Sequence, residues 1–147
     1  MPMPTVLDAF ALVALSLEEP ASDRVAAAIQ LGNARMSTLN LAEAADRLVR
    51  VGGGPAGDVQ RVLGDVIGEI VEPVPLDMAT AWHAAELRAR HYHRRKAPLS
   101  LADCAALSLT LTTPEGVLAT ADPPLLRAAD AEGAGVLALP DSAGNEY

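Results

Sequence analysis

Thr5-Val6-Leu7-Asp8-Ala9-Phe10-Ala11-Leu12-Val13-Ala14-Leu15-Ser16-Leu17 is the stretch that decides the fold. It begins as a short apolar run with β-branched residues, the composition of a strand. From Ala9 onward the residues predict a helix over 9–17, ended before Pro20. A strand passing at once into a helix is the repeating unit of a parallel sheet. The succession recurs along the chain. Arg35-Met36-Ser37 reads as a strand and residues 39–51 as a helix, broken by Gly52-Gly53-Gly54-Pro55. Gly116-Val117-Leu118-Ala119-Thr120 reads as a strand, followed by a helix over 123–131. Residues 21–31 and 100–112 are read as helices, and Asp77 as the cap of another that runs to residue 92. Val59, Val62, Leu63, Val66, Ile67 and Ile70 place one apolar stripe on a further helix. Residues 71–76 contain Pro73 and Pro75, so they predict a short strand at a sheet edge. Residues 136–139 are a last strand. The expectation is an α/β chain: one domain over residues 1–140, a central parallel sheet flanked by helices on both faces, and a loose C-terminal tail over 141–147.

Composition narrows the function. The chain has 147 residues, half of them hydrophobic, which is enough for a single domain to fold without staples. Cys104 is the only cysteine, so disulfide frameworks and cysteine zinc sites are excluded, and a reducing, cytoplasmic setting is expected. Aromatics make up only 3%, which argues against a base-stacking platform for single strands. The formal net charge is −8, so the chain as a whole repels phosphate backbones. Handling nucleic acid would require a local basic patch or bound cations. Residues 4–17 lack the basic start of a signal peptide, and residues 97–114 read as a buried helix rather than a membrane span.

Four carboxylates stand out by position. Asp8 closes the first strand, Asp122 lies two residues beyond Thr120, Glu43 lies early in the helix after the second strand, and Asp103 lies in the first turn of its helix. In open parallel sheets ligands bind beyond the carboxyl ends of the strands. Each acid also has a plain structural reading. Asn40-Leu41-Ala42-Glu43 and Ser100-Leu101-Ala102-Asp103 have the form of capping boxes. Asp8 and Asp122 can be N-caps, the latter with Pro123 at the first helical position. Against capping alone stands isolation: Asp8, Asp103 and Asp122 lie in apolar segments with no basic neighbour. Buried aspartates need partners, and hard divalent cations are held by carboxylates and water.

Val6-Leu7-Asp8-Ala9-Phe10-Ala11-Leu12, Ser37-Thr38-Leu39-Asn40-Leu41-Ala42-Glu43, Leu99-Ser100-Leu101-Ala102-Asp103 and Leu118-Ala119-Thr120-Ala121-Asp122 occur in this order from residue 5 to about 139. In these four stretches the chain resembles the PIN domain, most closely the toxin ribonucleases of VapBC toxin–antitoxin pairs. The resemblance implies an acidic site of Asp8, Glu43, Asp103 and Asp122 holding Mg²⁺ or Mn²⁺, with Thr120 as a supporting hydroxyl. It implies hydrolysis of RNA phosphodiesters, a small VapB-like antitoxin as partner, and a homodimer. A PIN domain serving only as a non-catalytic binding partner is the alternative, and the presence of all four acids argues against it. Pro123-Pro124 departs from the family, whose members carry a longer polar or basic side chain after the last aspartate.

Arg88, Arg90, Arg94, Arg95 and Lys96 supply five of the eleven cationic side chains. They read either as an RNA-phosphate patch, centred on Arg94, Arg95 and Lys96, or as charges that favour a helix C-terminus. His83, His91 and His93 are read as solvent-facing, Trp82 and Tyr92 as packing anchors, and Cys104 as a small core residue. Gly52-Gly53-Gly54 lacks the Lys-Ser/Thr of a phosphate loop and is read as a plain loop.

Overall fold

Thr5, Val6 and Leu7 are all buried, as an internal parallel strand requires. They form β1 (Thr5–Leu7), the middle strand of a five-stranded parallel sheet, with β2 (Ala34–Ser37) and then β3 (Val71–Val74) on one side and β4 (Val117–Thr120) and then β5 (Gly135–Ala138) on the other, in the order β3-β2-β1-β4-β5. The computed structural model describes residues 3–52 and 54–147. After β1 come α1 (Ala9–Ser16), α2 (Ser22–Gln30), β2 (Ala34–Ser37), α3 (Thr38–Gly52), α4 (Ala56–Gly64) and β3 (Val71–Val74). The second half contains α5 (Met78–His91), α6 (Leu101–Thr112), β4 (Val117–Thr120), α7 (Pro123–Ala131) and β5 (Gly135–Ala138). Gly53, within the expected glycine break, lies outside the described residues.

Successive strand residues face opposite sides of a sheet, and here they feed two cores. Leu7 joins Leu12, Val25, Met36 and Leu63 under α1, α2, α3 and α4. Val6 joins Leu87, Leu107, Leu118 and Leu125 under α5, α6 and α7. The sheet is thus covered on both faces, as the strand–helix alternation predicts. β3 is an edge strand, where Pro73 needs no inner partner for a missing N–H.

Topology places the site. The chain winds outward from β1 through β2 to β3, then returns to lay β4 on the other side of β1. Connections leaving β1 and β4 therefore diverge and open a crevice at their carboxyl ends. The backbone N–H of Asp8 donates to the Ala119 carbonyl at 3.3 Å, tying the end of β1 to β4.

Two expectations need correction. The apolar stripe from Val59 to Ile70 is not one helix: α4 ends at Gly64, and Ile67 instead bridges to Val71. Gly64 is a poor helix former, and Gly68 takes φ +102, which fits glycine and turns the chain into β3. Val62 and Ile70 are left exposed. Nor is Trp82 a packing anchor, since it is 68% exposed on the outer face of α5 near Met78, and Tyr92 is 42% exposed. In the terminal segment Asp141 accepts from the backbone of Ala143 and Asn145, and Glu146 pairs with Arg24 at 2.7 Å. No helix among the described residues is long and apolar enough to cross a membrane.

Candidate active site

Three helix N-termini meet at the crevice, and each carries an aspartate. Asp8 is the N-cap of α1, its Oδ1 accepting from the Ala11 N–H at 2.8 Å. Asp122 is the N-cap of α7, its Oδ2 accepting from the Leu125 N–H at 3.2 Å, with prolines at the first two helical positions. Asp103 closes a capping box on α6: its Oδ2 accepts from the Ser100 N–H at 2.9 Å, and Ser100 Oγ accepts from the Asp103 N–H. Capping therefore occupies only part of each carboxylate. In each case the cap takes up one carboxylate oxygen and so fixes where the second stands. Glu43 joins from the second turn of α3. All four acids line one open cavity of about 550 Å³.

The electrostatics follow from burial. Asp8 is 3% exposed, and desolvation pushes its pKa up to about 7. Asp103 and Asp122 nearby push in the same direction. A hydrogen bond from the Thr120 hydroxyl and the one from Ala11 N–H pull the other way. Thr120 is fully buried, and its oxygen also accepts from the Asp122 N–H at 3.1 Å, so it braces two of the acids at once. Desolvation, then the charge of Asp103, raises Glu43 and Asp122 above the usual carboxylate range. Among the described residues, none of the four forms an ion pair.

That donor set fits a hard divalent cation. Four carboxylates that form no ion pair among the described residues, one of them buried, leave negative charge that Arg47 and Arg88 on the cavity wall only partly offset. Among the described residues, no group of three His, Cys, Asp or Glu side chains is placed to hold a metal ion by itself. Mg²⁺ does not need one: it keeps several waters and is held through one or two carboxylates and substrate phosphate.

Other expected residues fall elsewhere. Arg94, Arg95 and Lys96 are exposed in the turn after α5 and do not line the cavity. The cations that do are Arg47, one turn beyond Glu43, and Arg88 on α5. Sequence gave Arg88 no distinction from its neighbours, because its approach depends on α5 packing beside α6. The histidines are not idle at the surface. His83 shares a 2.7 Å hydrogen bond with buried Ser108, His91 bonds Glu132 at 2.7 Å, and His93 Nδ1 accepts from two backbone N–H groups. Cys104 is fully buried beside Asp103, and burial pushes its thiol up to about 11, so it is inert core. Asn40 is not the cap that Asn40-Leu41-Ala42-Glu43 suggests: α3 begins at Thr38, so Asn40 lies inside the helix, buried one turn before Glu43, and its amide donates to the Ala102 carbonyl at 3.0 Å, fastening α3 to the first turn of α6.

The PIN domain family profile matches residues 5–131. No curated protein matches the chain in sequence. In fold the chain is similar to VapBC2 from Rickettsia felis bound to a DNA fragment from its promoter (TM-score 0.67, 13% identity, 93% of this chain and 99% of that one). It is similar also to DNA-bound VapBC from Salmonella typhimurium (TM-score 0.61, 17% identity, 92% and 98%). A third similar structure is FitAcB from Neisseria gonorrhoeae (TM-score 0.57, 20% identity, 90% and 96%).

Proposed function

The chain belongs to the PIN domain family, and we propose that it is a metal-dependent ribonuclease, the toxin of a toxin–antitoxin pair. The observation that carries this reading is the convergence of Asp8, Glu43, Asp103 and Asp122 on one cavity at the topological switch between β1 and β4. Asp8, Asp103 and Asp122 are the proposed holders of Mg²⁺ or Mn²⁺, with Glu43 beside them. When bound, the ion supplies Lewis-acid charge at the phosphate and a more acidic water. The protein supplies position. The caps on α1, α6 and α7 hold three carboxylates in place, Thr120 braces Asp8 and Asp122, and Arg47 keeps Glu43 closer to its ionised form. Water then adds to phosphorus in line with the departing ester oxygen, and the strand is cut by hydrolysis.

The partners follow from two apolar surfaces. A groove of about 520 Å³ between α3 and α4, lined by Leu41, Ala45, Val49, Leu63 and Ile67, fits the apolar face of an amphipathic antitoxin helix. The outer face of α5, with Met78 75% and Trp82 68% exposed, fits a second copy of the chain. Sedimentation is expected to show a dimer for the wild type and a monomer for Trp82→Glu; equal masses would remove α5 from the interface.

The function is tested by incubating the purified chain with a panel of structured RNAs in Mg²⁺, Mn²⁺ or EDTA. Cleavage in either metal and none in EDTA is expected. Co-expression with the small protein encoded beside this gene is expected to yield an inactive complex. No cleavage of any RNA, or cleavage unaffected by EDTA, would overturn the nuclease assignment. Failure of the two proteins to co-purify would remove the antitoxin and leave the nuclease.

A further inference from the structure

Cations are scarce in this chain, eleven against nineteen acids, and most of those held in place are already spent on a carboxylate. Arg24, Arg35, Arg50, Arg61 and Arg90 each pair with an acid. Among the described residues Arg88 pairs with none, although it lines the cavity that holds Asp8, Glu43, Asp103 and Asp122. It is half-buried and held at two points. Its Nε donates to the Leu99 carbonyl at 2.9 Å, and its guanidinium carbon lies 4.2 Å from the centre of the Tyr92 ring. Leu99 precedes Ser100, the N-cap of the helix that carries Asp103. Arg88 is thus fastened to the backbone that sets the position of Asp103, while among the described residues neither of its Nη groups donates to a partner.

A guanidinium held this way has surrendered its rotamer freedom in advance and presents a planar fork that matches phosphate oxygens. Tyr92 lines the same cavity and keeps 42% of its surface exposed while the guanidinium covers part of one face. Aromatic rings at such positions take unstacked bases. A cavity of about 550 Å³ has room for more than one reacting phosphate. A divalent ion held by the carboxylates would neutralise the phosphate being cut. The next phosphate along the strand meets an acidic wall unless a cation receives it.

We propose that Arg88 and Tyr92 form a nucleotide subsite beside the acidic cluster, where Arg88 grips a backbone phosphate flanking the scissile bond and Tyr92 stacks the adjoining base. The subsite rests on the ribonuclease reading above and adds a substrate requirement to it: the strand is single-stranded at this nucleotide, because a paired base cannot turn onto the ring. Arg94, Arg95 and Lys96, exposed and outside the cavity, contribute only general attraction.

The test measures binding of a fluorescent single-stranded RNA, and of the same sequence as a duplex, to the full chain carrying Asp103→Asn in Mg²⁺ over a range of salt. Adding Arg88→Gln, which keeps a side-chain amide to reach Leu99, is expected to weaken single-strand binding about tenfold. It should also lower the slope of log affinity against log salt by about 0.7, the share of one phosphate contact. Adding Tyr92→Ala is expected to weaken single-strand binding about five- to a hundredfold and duplex binding little, while Tyr92→Phe keeps the affinity. In the otherwise wild-type chain, Arg88→Gln is expected to raise KM more than it lowers kcat. Single-strand binding, salt slope and KM all equal to the parent in folded Arg88→Gln and Tyr92→Ala proteins, with wild type still cleaving RNA, would overturn the subsite alone. If wild type cleaves no RNA and the Asp103→Asn parent binds none, the ribonuclease reading falls and the subsite with it.

Discussion

Asp8→Asn and Asp103→Asn are each expected to lower RNA cleavage by at least about 100-fold while leaving the fold in place. The size follows from position: removing a group that only orients a metal ligand costs about 10–100-fold, and removing a ligand costs no less. The second expectation follows from the caps. Asparagine caps a helix about as well as aspartate, so the N–H of Ala11 keeps its acceptor in Asp8→Asn. An amide at 103 still accepts from the Ser100 N–H and keeps the capping box. Each substitution therefore removes a negative charge from the cavity and keeps the cap, while Asp8→Asn also changes the contact with the Thr120 hydroxyl. Single-turnover cleavage in Mn²⁺, with circular dichroism on the same samples, separates the two effects. Activity within a few-fold of wild type in a folded Asp103→Asn protein would show that the convergent carboxylates do not carry the chemistry.

The features that single these residues out in the sequence are local. Asp8, Asp103 and Asp122 interrupt apolar segments at strand ends or helix starts, and no basic residue stands nearby to neutralise them. The alternation that placed β1, β2 and β4 is local too, as is the edge position of β3, written in Pro73 and Pro75. Sequence left cap and ligand as competing readings because spacing counts residues, not oxygens. The structure shows one oxygen of each aspartate in a cap, which is compatible with a second use of the same side chain.

What stayed hidden depends on packing between distant segments. Arg88 reaches the cavity only because α5 lies along α6, and nothing in Arg88-Ala89-Arg90 distinguishes the arginine facing the site from the one paired to Glu132. Trp82 looked like core because tryptophan is usually buried to a large extent. Its exposure follows from α5 being an outer helix whose inner face is supplied by Ala84 and Leu87. The stripe after Val59 has helical spacing throughout, yet its glycines end the helix half-way. Periodicity reports which face would be apolar, and backbone propensity decides how far the helix runs.

Stability should depend on pH in a direction that only a buried, uncompensated acid produces. The pKa of Asp8 is raised from 3.8 to about 7 on folding, chiefly by desolvation. Below the unfolded value the side chain is neutral in both states and costs nothing. As pH rises, the unfolded chain loses its proton first, so the folded state loses stability progressively up to the folded pKa and no further beyond it. A raise of about three units corresponds to about 4 kcal/mol at the plateau, at 1.36 kcal/mol per unit. Asp8→Asn removes the ionisation and keeps the cap. In EDTA at about pH 8 the variant is therefore expected to melt higher than wild type, by about 10 °C at roughly 2–4 °C per kcal/mol. The gap should narrow as pH falls and close near pH 4, below which the side chain is neutral in both states. Mn²⁺ should act in the opposite sense on wild type, since an ion that binds only the folded state adds about 2.7 kcal/mol at a hundred times its dissociation constant. The variant, lacking the carboxylate, should gain less. Thermal melts of both proteins across this pH range, in EDTA and in Mn²⁺, decide the matter. If wild type is at least as stable as Asp8→Asn at about pH 8 in EDTA, the buried charge is already compensated by the protein. Asp8 would then be a helix cap that needs no ion, and the cavity would have to bind its metal through Glu43, Asp103 and Asp122 alone.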